Sequence, residues 1–346
     1  SMELSQEGLE HVEELLLELD KGIRAFKEQP LKAYIFEESV ELAKLRYTFP
    51  QGSSGQNQVI GAARDMIYEP LESYPRLTLA PKMMDQEGYK KLLSMMTLDQ
   101  AYINIWAEPS EIKYELDQQE SSLGAFYCEK KLGDLSSLQL TQSIDVGLPP
   151  SNQFIPKELS LPEEIEASNQ SFLSIPDVIV DEKWGKVLFA ADDRYNVPKV
   201  FWGIEIKTPV LQSDEVSDLV YKDIFTYLVM KKLDPIAYQA AQAGLTLNFY
   251  STKEGIDLKI SGFKEKAFSL VDKVLSQLSS LTVSEQDLMS AKDFLSSEYS
   301  NYSRGLTVKE GLEWANKVLV KDHIAPWEKR EFLDEMTLKK FNDKKI

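Results

Sequence analysis

With 346 residues the chain is too long for one ordinary hydrophobic core and fits about two domains. Its 43% hydrophobic and 27% charged residues describe a globular polymer rather than a disordered one, and a net charge of −17 excludes a nucleic-acid partner, because nothing neutralises phosphates. The single cysteine, Cys128, excludes an internal disulfide, and no run of about 18 apolar residues is present to span a membrane. The compartment stays open between cytoplasm and periplasm. An acidic surface suits basic or unfolded peptides, although simple solubility explains it as well.

From Ser5 to Lys27 the apolar residues Leu9, Val12, Leu16, Leu19, Ile23 and Phe26 recur at steps of three and four, the core stripe of an amphipathic helix with an acidic outer face. Ser1 and Met2 before it resemble a cloning scar, so the chain reads as a piece cut from a larger protein. After Pro30, the residues Ile35, Phe36, Val40, Leu42 and Leu45 predict a second helix, and Gln51 to Gly55 a loop. A third helix over about 56–67, a fourth over about 86–95 and one strand from Tyr102 to Ala107 follow. A lone strand leaves backbone groups unpaired, so its partners are expected before residue 1.

Between Pro109 and Pro176 the prolines, serines and acids predict a long interdomain linker, with a short strand at Gly124 to Glu129. Val178–Val180 and Lys186–Ala190 predict a hairpin. From Lys199 to Thr208 Val200, Trp202, Ile204 and Ile206 alternate with polar or exposed positions, the period of a strand with one buried face. A helix is expected from Asp214 to Leu233, stopped by Pro235, then a short one from Ile236 to Ala243 closed by Gly244. Leu245, Leu247 and Phe249, then Ile256, Leu258 and Ile260, predict a hairpin joining the same sheet.

Three further helices are expected. The first spans 265–278, with Phe268, Val271, Leu275 and Leu278 inward. The second starts at a capping-box-like Ser284–Asp287 and turns Leu288, Ala291, Leu295, Tyr299 and Tyr302 to one side, and the third spans about 307–320. The tail from Thr337 to Ile346 reads as basic and frayed. The fold class is therefore α+β, with residues 1–108 a mostly helical, incomplete domain, 109–176 a crossing, and 177–346 a second α+β domain lacking its last strand.

Chemistry-bearing residues are sparse. His11, in His11-Val12-Glu13-Glu14-Leu15, begins like H-x-x-E-H, but Leu15 stands where the second histidine belongs, and one ligand cannot hold a catalytic zinc. It reads as a helix-surface residue. His323, in Lys321-Asp322-His323, sits at a helix end, where the dipole alone favours an imidazolium. Cys128 has no histidine near it in sequence, and no G-x-G-x-x-G, P-loop or G-x-S-x-G occurs. The acid pairs Asp192–Asp193 and Glu163–Glu164 read as solvated charges, and Phe201, Trp202 and Tyr227 as core aromatics. Glu215 and Asp223 have no neighbouring ligands on their helix. No catalytic or metal-binding residue is therefore assigned, and no peptide-contacting residue can be named.

Several segments together resemble the insulysin and pitrilysin zinc metallopeptidases. Gly8-Leu9-Glu10-His11-Val12 is similar to the family's G-x-E-H-V, with Phe36-Glu37 and Arg46-Tyr47-Thr48-Phe49 at similar spacing. Asn152-Gln153-Phe154-Ile155-Pro156 resembles the N-x-F-I-P of the interdomain crossing, and Val197-Pro198-Lys199 the V-P-K before the third domain's first strand. Ala237-Tyr238 with Ala243-Gly244-Leu245 resembles A-Y-x(4)-A-G-L, and Gly255, Leu258, Ile260, Gly262, Phe263 and Lys266 resemble the hairpin and its exit. The segments Pro109 to Asp145 and Leu161 to Ser174 match nothing in the family.

The resemblance implies a four-domain peptidase whose repeated α+β domains form two bowl-shaped halves around a chamber for peptides. Zinc and the catalytic base would belong to the first domain. This chain would be the later part of the second domain and most of the third, inactive alone, with peptide or small-protein substrates and the other domains of the same polypeptide as its partners. The alternative is a free-standing inactive homologue that acts as a binding or assembly subunit.

Overall fold

A computed structural model describes residues 4, 6–49, 54–74, 83–133, 147–159, 175–191, 197–208, 215–252, 255–301, 307–321 and 323–344. The acid pairs Asp192–Asp193 and Glu163–Glu164, together with Tyr302, lie outside them. The chain divides into two compact units, Ser1–Ala43 with Ser53–Ser151 and Lys44–Gly52 with Asn152–Ile346.

The first unit is helical. Helices α1 (Gln6–Glu10) and α2 (Val12–Glu28) replace the single expected helix, because His11 leaves helical geometry at φ −113° and ψ 28°. Helix α3 (Ala33–Thr48) follows and passes from this unit into the next. Helices α4 (Gly55–Tyr68) and α5 (Gln86–Met95) start at side-chain caps: Ser54 Oγ accepts from Asn57 N at 3.3 Å, and an Asp85 carboxylate oxygen from Gly88 N at 2.8 Å. A two-residue pair, β1 (Gln118–Gln119) and β2 (Phe126–Tyr127), is all that forms around the expected 124–129 strand. Among the described residues Leu16 is the only fully buried apolar side chain of this unit.

The strand expected from Tyr102 to Ala107 does not form. Its backbone pairs with no strand among the described residues, and Tyr102 and Trp106 are 100% and 92% exposed. Alternating β-prone residues specify an extended segment, but a strand exists only against a partner.

The second unit is built on a three-stranded antiparallel sheet in the order β5-β7-β6, formed by β5 (Lys199–Lys207), β6 (Thr246–Ser251) and β7 (Gly255–Phe263). The expected hairpin, β3 (Asp177–Glu182) with β4 (Gly185–Phe189), forms a separate, exposed pair. In the sheet Lys199 faces Phe263 and Lys207 faces Gly255, while Thr246 faces Ser261. Strands β5 and β6 are thus parallel to each other with β7 between them, joined by helix α6 (Val216–Gln242) in a split βαβ arrangement.

The central strand carries the core. Ile256, Leu258 and Ile260 are buried and alternate with Asp257, Lys259 and Ser261. Val220, Ile224, Leu228 and Leu233 of α6 and Ala267, Leu270, Val271 and Val274 of α7 (Lys264–Ser279) complete it. Each large aliphatic residue buried there contributes about 1.5–3 kcal/mol. Helices α8 (Glu285–Asn301), α9 (Thr307–Leu319), α10 (Pro326–Leu333) and α11 (Leu338–Asp343) follow. The expected capping box opens α8, with Asp287 N donating to Ser284 Oγ at 3.1 Å and Ser284 N to Asp287 Oδ2 at 3.0 Å. Leu288, Ala291, Leu295 and Tyr299 are buried on one side of it, as their spacing predicts.

Four other expectations are corrected. Pro235 does not stop the helix: α6 is continuous through it. A mid-helix proline costs about 3 kcal/mol, but Leu233 before it and Ala240 after it are both buried, so packing on each side holds the helix. On α7, Val271 is buried as expected, but Phe268 and Leu275 are 65% and 39% exposed, and Ala267, Leu270 and Val274 complete the inward stripe instead. Over its described residues, 337–344, the tail is not frayed. Thr337 caps α11, Phe341 is buried 4.9 Å from the Tyr221 ring, and Tyr221 Oη donates to Lys344 O at 2.7 Å. Finally, Phe201, Trp202 and Tyr227 are not one core cluster. Phe201 is 68% exposed, Trp202 meets Phe268 at 6.1 Å, and Tyr227 stacks on Phe294 at 4.6 Å.

Candidate functional site

Two places in the second unit gather the residues singled out by sequence. The first is the junction where α6 ends and α7 begins. Helix α6 closes in a Schellman turn, with Leu245 N donating to Ala240 O at 2.9 Å and Gly244 N to Ala241 O at 3.1 Å. Gly244 has φ +78°, and a Cβ there would lie 2.8 Å from the Phe263 ring. Gly262 has φ +134°, and its Cβ would lie 2.3 Å from Gly244 O. The two glycines let the helix end and the strand end approach to backbone contact.

Other segments close on the same point. Lys264 N donates to Pro198 O at 2.9 Å, the Lys199 ammonium lies 5.4 Å from the Phe263 ring centroid, and Phe49 meets the same ring edge-on at 5.7 Å. Asn152 Nδ2 donates to Gln239 O at 2.8 Å while its own Oδ1 accepts from Phe154 N at 3.0 Å, and Phe154 and Ile155 are buried. Glu265 Oε2 accepts from both Lys157 N and Glu158 N at 2.7 Å. Partial burial alone would raise the Glu265 pKa, but the hydrogen bond and charge of Lys266 and these two backbone donors outweigh it and hold the carboxyl below its ordinary range. The junction is a backbone clamp made of five separated segments.

The second place is the face of α6 that packs against α8 and α10. Asp223 Oδ2 accepts from Tyr299 Oη at 2.6 Å and from Lys329 Nζ at 2.8 Å, tying α6 to α8 and α10. Burial, reinforced by the Asp223 charge and hydrogen bond, pushes the Tyr299 hydroxyl far above the ordinary phenol range. The hydroxyl therefore stays a donor. The residues present do not fit zinc: α6 has neither histidine nor cysteine, and an ammonium already balances Asp223. Among the described residues no group of three or more His, Cys, Asp or Glu side chains is placed to hold a metal ion.

The remaining candidates do not converge. His11 is half exposed and pairs within its own turn, Nδ1 lying 3.0 Å from Glu14 Oε1. Cys128 is half-buried just after β2. His323 lies in the second unit, with Nε2 2.5 Å from Glu313 Oε1. Sequence reading missed Tyr299 and Lys329 as partners of Asp223, and it missed Glu265, whose only local signal is its place in the first turn of a helix.

Comparison with known proteins bears on what this architecture belongs to. Residues 47–332 match the family model described as the middle or third domain of peptidase M16. The chain is 24% identical over 347 residues to the insulin-degrading enzyme of Drosophila melanogaster, covering 97% of this chain and 33% of that protein. It is 22% identical to the human insulin-degrading enzyme over 98% of its length, again 33% of the relative, and 25% identical to the putative zinc protease mug138 of Schizosaccharomyces pombe over 86%. The chain thus spans about a third of the length of these relatives. A crystal structure of pitrilysin superposes with a TM-score of 0.67 at 19% identity, covering 99% of this chain and 36% of that one. With an α+β fold shared with pitrilysin and a family model matched over most of its length, the chain belongs to the M16 peptidases, the insulysin and pitrilysin family, as their middle region.

Proposed function

We propose that the chain is the non-catalytic middle portion of an insulysin-like zinc metalloendopeptidase, supplying chamber wall and peptide contact while another domain of the same polypeptide holds the zinc. In this reading 1–108 is the later part of a second peptidase-like domain, 109–176 the crossing, and 177–346 a third domain that keeps the strand-to-helix architecture without its chemistry. The observation that supports it is the α6 face, where Lys329 and Tyr299 occupy Asp223 as structural partners.

Purified chain with added zinc is expected not to hydrolyse a quenched fluorescent peptide. Reproducible turnover that a chelator removes would overturn the assignment. The reading frame upstream of residue 1 is expected to encode H-x-x-E-H. Its absence there would refute the fragment reading in favour of a free-standing binding or assembly subunit.

A further inference from the structure

Helix α9 is amphipathic but turned outside in. Its charged side faces the second unit: Glu313 is buried, Glu310 is half-buried, and Lys317 donates to both Glu328 oxygens of α10 at 2.6 and 2.8 Å. Its apolar side faces out, with Val308, Leu312, Val318 and Leu319 61–82% exposed. A contiguous apolar face of this kind marks an interaction surface.

The spacing of that face bears on what covers it. Val308, Leu312, Ala315 and Leu319 follow one another at steps of four, three and four, the seam along which one helix packs against another. Laid antiparallel against a second copy of itself about a two-fold axis, the seam is complementary. Leu312 of one copy then opposes Ala315 of the other, and Val308 opposes Leu319, so a smaller side chain faces each leucine. Beside the seam Lys309 meets Asn316 and Gly311 meets Val318, so no like charges are opposed. A parallel pair would set Ala315 against Ala315, leaving a gap, and would align the two helix dipoles in the same sense.

Charge points to the same face. Two copies of a chain of net charge −17 repel one another as wholes, but on α9 Lys309 and Lys317 cancel Glu310 and Glu313. The four exposed side chains offer roughly 500 Å² per copy, so a pair buries about 1,000 Å², the lower limit for a specific interface.

We propose that α9 is a self-recognition surface, through which two copies of this chain pair antiparallel along the Val308–Leu319 seam. An interface of this size makes the dimer weak and dependent on concentration.

Sedimentation equilibrium on the full chain, from about 5 to about 500 μM, is expected to show a monomer–dimer equilibrium. The dimer fraction should rise between about 0.1 and about 1 M salt, because the repulsion between acidic copies is screened and the seam itself carries no ion pair. Leu312→Lys should weaken dimerisation at least tenfold and, at so exposed a position, leave the urea midpoint of the monomer unchanged. Leu188→Lys, on the exposed β3–β4 hairpin, should leave the dimer as it is. A monomer at every concentration overturns the pairing and gives the face to another occupant. A dimer that survives Leu312→Lys, is lost in Leu188→Lys, or weakens with salt overturns it as well. In a Cys128→Ser background, chains carrying Val308→Cys and chains carrying Leu319→Cys should form a mixed disulfide when combined. Disulfides between identical chains in place of the mixed one overturn the antiparallel arrangement.

Discussion

At Gly262 a methyl group would meet Gly244 O at 2.3 Å and Leu245 Cα at 2.9 Å, on a backbone of φ +134° that side chains rarely adopt. Gly262→Ala is therefore expected to lower stability by about 2–4 kcal/mol, read as a fall in the denaturant midpoint at unchanged slope. Gly61, inside α4 with nothing within 4 Å of an added Cβ, is the control: Gly61→Ala should raise stability by about 0.5–1 kcal/mol. Glycine identity is legible in sequence, but which glycine is indispensable is not. That depends on what the other chain segment brings within reach, and Gly244 and Gly262 meet only after a helix end and a strand end have been folded together.

Among the elements, α5 and β5 form within their expected bounds, because caps and periodicity are local properties, although the expected buried face of β5 is not buried: Val200, Ile204 and Ile206 are half-buried and Trp202 is exposed. Helix α6 runs past its expected end, because proline's penalty is local while the burial that outweighs it is not. Pro235→Ala should restore a donor to Lys231 O and raise the melting temperature, the gain being less than the roughly 3 kcal/mol penalty because the unfolded chain becomes more flexible. A melting temperature that falls would mean the proline ring is needed for packing. Helix α11 shows the opposite lesson: a short basic tail reads as frayed until Phe341 finds Tyr221. Phe341→Ala should cost about 3–4 kcal/mol and expose Tyr221, whose hydroxyl burial now pushes up to about 12, so its spectrophotometric titration should shift back down.

For the molecule as a whole, acid is the informative stress. Glu265, Asp287 and Glu328 are each held below the ordinary carboxylate range by hydrogen bonds from neighbouring groups. Their contribution is present above the unfolded carboxylate pKa and is lost as pH falls through the lower folded values, so the urea midpoint should drop below about pH 4.5 and proton uptake should accompany unfolding. Glu265→Gln should flatten that drop. The family was legible from its separated motifs, and the structure shows five of those segments meeting at one clamp. The clamp itself was not legible, because its bonds run from side chain to distant backbone. The sheet carries one more consequence, for the order of events during synthesis. Strand β5 has no partner among the described residues except β7, which follows only after α6 and β6. A ribosome that has released β5 and α6 has therefore not yet released the strand that pairs with β5: the contact order of the split βαβ delays this pairing until the 255–263 strand emerges, and the alternating residues of β5 stay open to chaperones or to other chains in the interval.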